Sequence, residues 1–380
     1  MHHIFFVIIS LGGKRIMDKI KNSFSGVIIG ILLIIGGTIM LWWNEGETVK
    51  NLHSVEEMSK TAIQVKSDEV NPKNDGKLVA TNGKFEVVDE KLSDDQFKIE
   101  KKTAKLVRTV ECYAWVETEH TDDDVTTYSY EKKWVVAGEV PDSDAFHETG
   151  HVNPKSWGTI PSDEQVASEV KVGAFKLSTS QVSSVPANVR FNIDGVEAKE
   201  GYTNAENYMT TSKDVANPEV GDTRISWHYN DWTEASILAK QNGDSFIDWT
   251  SKEGRAVNRV ENGIMDLDAL LNKIKGEDKA TKWIFRLIGA LLIIFGYMAL
   301  INPITTLTSF VPILGGIVGG ILGLIAFLIG LIHSLVVIVI SWFAFRPILA
   351  AVILAVIVAL VILIVMLIKK NKKPATVQAG

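Results

Sequence analysis

Residues 283–368 read WIFRLIGALLIIFGYMALINPITTLTSFVPILGGIVGGILGLIAFLIGLIHSLVVIVISWFAFRPILAAVILAVIVALVILIVMLI. Only Arg286, His333 and Arg346 in this run can carry a positive charge. The run is too long for a globular core helix. It is bilayer-spanning material, because an α-helix crosses the hydrocarbon with about 20 apolar residues. Backbone amides in lipid must pair within their own segment, so the spans are helices. Asn302-Pro303 breaks the run, and Phe345-Arg346-Pro347 makes a tight polar corner. As one helix, residues 310–345 would be roughly 54 Å long, against about 30 Å of hydrocarbon. The reading is a span at 283–301, a glycine-rich re-entrant or interfacial piece at 311–320, and spans at 321–343 and 348–368. Gly316 and Gly320 are candidate packing positions in the glycine-rich piece.

Working outward, a further apolar core lies near the other end, at residues 25–43. Lys14, Arg15, Lys19 and Lys21 precede it, and Trp42-Trp43 closes it without a small-residue cleavage site. That pattern is an uncleaved signal anchor with an interfacial Trp pair. Met17 offers a second start, so residues 1–16 carry no weight. Gly26 and Gly30, with Gly36-Gly37 further along, are placed as small residues that let helices approach closely in lipid. Charge is partitioned along the chain. Residues 44–282 hold 44 acids against 29 bases, a net of -15, while the rest holds one acid and ten bases, a net of +9. Basic flanks mark cytoplasmic loops. Residues 1–24 and the tail 369–380 are therefore expected in the cytoplasm, which agrees with an even number of spans.

The segment 44–282 lies outside the cytoplasm on this reading. Val49, Leu52, Val55, Met58 and Ala62 suggest a short amphipathic helix leaving the membrane. Strand alternation and turn signals follow to about residue 248. Asn82-Gly83 predicts a hairpin between two short strands. Residues 105–118 and 126–136 predict a long hairpin turned at 121–124. Residues 222–229 and 234–241 predict another, with Asn242-Gly243-Asp244 turning toward 246–249. Residues 178–184 suggest a capped short helix. Ile264, Leu267, Leu270, Leu271 and Ile274 form one helical stripe, which Gly276 is expected to stop. Cys112 is the only cysteine, so no intrachain disulfide holds this segment. Its acidity argues against a nucleic-acid groove, which needs a basic surface. The fold class is a membrane protein of four transmembrane α-helices, one N-terminal and three C-terminal, with a large β-rich α+β extracytoplasmic domain.

Chemistry is sparser. His147-Glu148-Thr149-Gly150-His151 matches the zinc-peptidase pattern, in which two His one helical turn apart hold the metal and the Glu acts as base. Gly150 inside the match and Asn153-Pro154 after it speak against a helix, and no third ligand stands out. A zinc metallopeptidase using His147, Glu148 and His151 is the alternative reading, with a transporter or channel component beside it. Asp122-Asp123-Asp124 lacks the spacing and glycine of a calcium loop and reads as a solvated turn. Tyr113, Trp115, Tyr128, Tyr130 and Trp134 lie at strand spacing and read as cross-strand pairs. His333, deep in a span, is expected to make an interhelical hydrogen bond. Arg346 is expected at the interface. No residue pattern calls for a cofactor.

Several strings together resemble the transmembrane protein 43 family, also called LUMA. They are Asn44-Glu45-Gly46, Tyr113-Ala114-Trp115-Val116-Glu117-Thr118-Glu119, and Tyr128-Ser129-Tyr130 with Trp134. Gly150-His151-Val152-Asn153-Pro154, Pro218-Glu219-Val220-Gly221-Asp222 with Arg224 and Ser226, and Phe345-Arg346-Pro347 complete the set. The similarity covers residues 25–370; the glycine-rich stretch 315–323 departs from the family pattern. The resemblance implies four spans and a large lumenal domain, or its bacterial equivalent, with no established catalytic residues. It implies a place in the endoplasmic reticulum and inner nuclear membrane of animals, or in a bacterial plasma membrane if the host is prokaryotic. It also implies self-association and the organising of membrane protein complexes with emerin and lamins. The expected partners are thus the lipid bilayer, further copies of the chain and other membrane or extracytoplasmic proteins, with no nucleic acid.

Overall fold

The computed structural model describes residues 2–88, 91–122, 125–157, 160–308 and 315–371. The chain divides into a helical unit, residues 1–57 and 272–380, and a β-rich unit, residues 58–271. The helices in chain order are α1 (His2–Thr61), the short α2 (Thr179–Ser184), α3 (Leu267–Thr308), α4 (Gly315–Phe345) and α5 (Pro347–Asn371). Three stretches are long and apolar enough to cross a bilayer: Gly26–Thr61 in α1, Leu267–Ile304 in α3 and Gly319–Phe345 in α4.

Helix continuity departs from the sequence reading in four places. The residues from Val49 onward extend α1 without a break. Gly276 does not stop its helix, and α3 runs on through it and through Pro303. An interior glycine costs a helix only about 1 kcal/mol, less than the hydrogen bonds lost by unwinding. Gly315 to Gly320 continue directly into the rest of α4 rather than forming a separate piece, while residues 311–314 lie outside the described residues. The Phe345-Arg346-Pro347 corner is as read. Helix α4 ends at Phe345 and α5 starts at Pro347, whose missing N–H costs nothing at a first helical position.

Within the helical unit α1 and α3 cross antiparallel on glycine. A Cβ on Gly30 would lie 2.7 Å from the Gly296 carbonyl, and one on Gly37 would lie 2.7 Å from the Gly289 carbonyl. Leu41, Ile293 and Val337 close a small apolar core beside these contacts.

The β-rich unit contains two seven-stranded sheets among the described residues. The strands that matter here are β1 (Leu78–Val87), β2 (Lys105–Asp122), β3 (Val125–Val136), β4 (Val170–Val172), β5 (Phe175–Lys176), β6 (Thr203–Ala205), β7 (Tyr208–Thr210), β8 (Thr223–Tyr229), β9 (Glu234–Asn242) and β10 (Ser245–Ile247). One sheet runs β10-β9-β1-β4-β5 and the other β6-β7-β8-β2-β3. Each has its own core. Val79, Phe85, Phe175, Ile237 and Phe246 fill the first, and Phe97, Ile99, Ile225 and Trp227 fill the second. Asp94 lies buried in the second core, where it accepts from Arg108 Nη1 at 2.8 Å and from the Trp227 indole at 2.9 Å.

Two predicted hairpins are absent. Asn82-Gly83 sits inside the single strand β1, not in a turn. The glycine answers a close approach: a Cβ there would collide with Ser67 Oγ. Strands β8 and β9 do not pair with each other and belong to different sheets. Between them Asn230 is buried, bonded through its N–H to Thr103 Oγ1 and through its amide to the Pro186 carbonyl. That anchored residue carries the chain across. The β2–β3 hairpin, the β9–β10 turn at Gly243 and the Ser178 capping box on α2 match the reading.

Candidate functional site

The family-like strings gather in two places, one in each unit. In the β-rich unit they build and brace the β2–β3 hairpin. Strand β8 pairs with β2 only from Leu106 to Cys112, whereas β3 pairs with β2 as far as Asp122. The distal half of the hairpin therefore has no further strand beside β2, and other groups continue the ladder. Tyr113 N–H donates to the Asp222 carbonyl and Gly221 N–H donates to the Tyr113 carbonyl. Gly221 has φ +108°, a conformation that selects glycine. One step further, the side chain of Asn153 replaces a strand. Its Oδ1 accepts from Trp115 N–H at 2.8 Å and its Nδ2 donates to the Trp115 carbonyl at 3.0 Å and the Pro141 carbonyl at 3.1 Å.

The hairpin's side chains alternate as its strand geometry requires. Leu106, Arg108, Val110, Cys112 and Ala114 point into the protein. The opposite face carries polar and aromatic contacts. Arg224 grips Glu111 with Nε at 2.6 Å and Nη2 at 2.8 Å, and stacks over Trp134 at 4.6 Å. Tyr113 and Trp134 pair across the strands with centroids 5.2 Å apart.

The His147–His151 match lies on this same face, in a loop and not on a helix. The His147 ring stacks flat on Tyr128 at 3.7 Å, and the His151 ring stacks flat on Tyr130 at 3.9 Å. Glu148 donates its backbone N–H to Tyr130 Oη. Glu117 ties the loop down: it accepts from Tyr130 Oη, from His147 N–H at 2.7 Å and from His147 Nδ1 at 2.9 Å. Desolvation alone would raise the Glu117 pKa, but these hydrogen bonds outweigh it and bring it down to about 2. Burial raises the Tyr130 pKa, and its bond to Glu117 adds to the rise. Among the described residues no cluster of three or more His, Cys, Asp or Glu is placed to hold a metal. The arrangement clamps a loop onto a hairpin. Asp123 and Asp124 of the acidic turn lie outside the described residues.

The second place is in the helical unit. Glu45 is fully buried; Arg286 donates Nε at 2.7 Å and Nη2 at 2.5 Å to its Oε1, and Arg346 Nη1 lies 3.5 Å from its Oε2. Asn44 Nδ2 donates to the Lys282 carbonyl, and Gly46 leaves room for the Phe345 ring, which a Cβ would meet at 3.0 Å. The Asn44-Glu45-Gly46 and Phe345-Arg346-Pro347 strings thus meet each other. Deeper in the unit, Thr38 Oγ1 donates to the Ile34 carbonyl and lies 3.4 Å from His333 Nε2. Tyr297 Oη lies 3.1 Å from His333 Nδ1. His333 on α4 thus bridges Thr38 of α1 and Tyr297 of α3, tying three helices together.

Among the glycines singled out from sequence, Gly30 lies at the α1–α3 crossing. Gly26 stands looser, with the Ala299 carbonyl 3.9 Å from a Cβ placed on it, and Gly320 has nothing within 4 Å. Gly316 is helical, and its packing lies outside what is described. Gly37 lies at the crossing too, against Gly289. Sequence reasoning missed Gly289 and Gly296, although their seven-residue spacing, the same as that of Gly30 and Gly37, was a usable signal. It also passed over Glu45 and Glu117 as single residues.

The family model described as Transmembrane protein 43 matches residues 112–347. Transmembrane protein 43 of Mus musculus is 24% identical over 357 residues, covering 88% of each chain. The Transmembrane protein 43 homolog of Drosophila melanogaster is 27% identical over 357 residues, covering 88% of this chain and 92% of its own. Transmembrane protein 43 of Homo sapiens is 24% identical over 355 residues. No solved structure matches the chain.

Proposed function

Since this chain belongs to the transmembrane protein 43 family, we propose that it organises membrane protein complexes, docking partners on its β-rich domain and self-associating through its spans. The observation that carries the reading is the bracing of the β2–β3 hairpin. Asn153, Gly221, Glu117 and Arg224 all hold it in place, while β3 keeps most of its side chains exposed. A rigid hairpin with an outer strand is suited to contact by another chain. In this reading α5 is the fourth span: its 25 residues rise roughly 37 Å, more than the hydrocarbon thickness. The basic flanks at Lys14–Lys21 and Lys369–Lys373 favour both termini in the cytoplasm. The β-rich domain then lies in the lumen of the endoplasmic reticulum or nuclear envelope, or outside a bacterial plasma membrane.

The test is co-purification of two differently tagged full-length copies from native membranes, with cross-linking before extraction. Recovery of both tags together, with the same membrane proteins captured by either, is the expected result. Monomer alone after cross-linking, with no recurrent partner, counts against the proposal.

A further inference from the structure

The Glu45 cluster holds more positive charge than its one carboxylate balances. Arg286 and Arg346 against Glu45 leave a charge of +1. Lys282, one helical turn before Arg286 on α3, feels Arg286, Arg346 and Lys279 as like charges and Glu45 as the one opposing charge. Like charges one turn apart destabilise a helix, and unbalanced charge away from water is costly. The donors are not used up either. A guanidinium has five N–H donors, and among the described contacts Arg346 directs one of them at Glu45, at the long distance of 3.5 Å.

The surroundings are those of a headgroup region. Arg286 packs over Trp283 at 4.9 Å and Arg346 over Trp342 at 5.5 Å. Trp42 and Trp43 are exposed on α1 nearby in sequence to Glu45, and tryptophans gather at the level of lipid headgroups. Directly beyond the basic residues, α3 turns apolar side chains outward at Ile284, Leu287 and Ile288, a surface for acyl chains. We propose that Lys282, Arg286 and Arg346 bind the phosphate of an anionic phospholipid headgroup, with Glu45 fixing the two guanidiniums in position to receive it. Phosphate suits this set because guanidinium donors match its oxygens in pairs, and its negative charge offsets the surplus.

The test uses the full chain in bilayer discs of phosphatidylcholine with and without phosphatidylglycerol, and native mass spectrometry of lipid retained after release. Wild-type protein is expected to retain phosphatidylglycerol in preference to phosphatidylcholine. Lys282→Gln and Arg346→Gln are each expected to weaken that retention about fivefold, the worth of one basic side chain at an anionic surface, leaving phosphatidylcholine unaffected. If Arg346→Gln does not fold, Lys282→Gln, which removes no bond to Glu45, decides the question. Inorganic phosphate added at millimolar concentration separates a lipid from a free ion. If it displaces the retained phosphatidylglycerol, or if retention is unchanged in the folded variants, the assignment is overturned.

Discussion

Gly36 and Gly37 are neighbours in α1, and the same added methyl is expected to act on them in opposite directions. Gly36 is exposed, and a Cβ on it meets nothing within 4 Å. A Cβ on Gly37 would lie 2.7 Å from the Gly289 carbonyl, 2.7 Å from Ile293 Cγ1 and 3.1 Å from Leu292 Cβ. Ordinary contact begins at 3.4 Å, so α1 and α3 must part by about 0.7 Å. Rotation of Ile293 does not relieve this, because the carbonyl is helix backbone and Ile293 is itself fully buried. The Gly30–Gly296 contact lies seven residues along, roughly 10 Å away, and parting the helices at one glycine pair loosens the other. Gly37→Ala is therefore expected to cost about 1–3 kcal/mol, the range for overpacking. Gly36→Ala is expected to gain about 0.5–1 kcal/mol from backbone entropy. The assay is reversible unfolding of the full chain in mixed micelles by dodecyl sulfate titration, followed by tryptophan fluorescence. Equal midpoints for the two variants, or a Gly37→Ala protein as stable as wild type, would refute the glycine crossing.

Three further outcomes follow from the β-rich unit. Asn153→Ala strips the Trp115 N–H and carbonyl of their partner and is expected to cost about 1–3 kcal/mol; a loss under about 0.5 kcal/mol in denaturant unfolding would show that the side chain does not brace the hairpin. Glu117 has its pKa depressed to about 2 in the fold, so its contribution is full above the ordinary carboxylate pKa of about 4.3 and is lost as pH falls from there toward 2. Thermal midpoints measured from pH 5 to pH 2 are expected to fall less in Glu117→Gln than in wild type, and parallel curves would contradict the loop clamp. Cys112 is buried, and burial, followed by the nearby Glu111 charge, pushes its thiol up to about 11. Iodoacetamide at pH 8 is expected to leave it unmodified in folded protein and to label it after denaturation; labelling at equal rates would place Cys112 outside the core.

Apolar segments were legible because hydropathy over twenty residues has no other physical use. Their continuity was not, because glycine and proline signal breaks only where nothing opposes them. At Gly276, Pro303 and Gly315–Gly320 the run of helical hydrogen bonds outweighs the local preference. Asn82-Gly83 shows the same conflict in a strand. The pair has the composition of a turn, yet Gly83 is there to admit Ser67. Strands β8 and β9 are four residues apart in sequence, which suggested a hairpin. Sequence spacing cannot show that Asn230 is held by Thr103, more than a hundred residues away. The two strand errors put a local rule in place of a tertiary contact.

The strings that suggested the family resemblance escape that weakness for a physical reason. Glu45 faces Arg346, Gly46 faces Phe345, Trp115 binds Asn153, Tyr113 binds Gly221 and Asp222, and Tyr130 stacks on His151. Every string contributes a side chain or backbone group that another string receives. A substitution at one end strands a polar group or fills a space needed by the other, so the two ends are constrained together. Residues on lipid-facing helix surfaces such as Ile28, Leu32 and Ile35 carry no such partner, and any apolar side chain serves there. These contacts between distant segments place the hairpin and the Glu45 cluster.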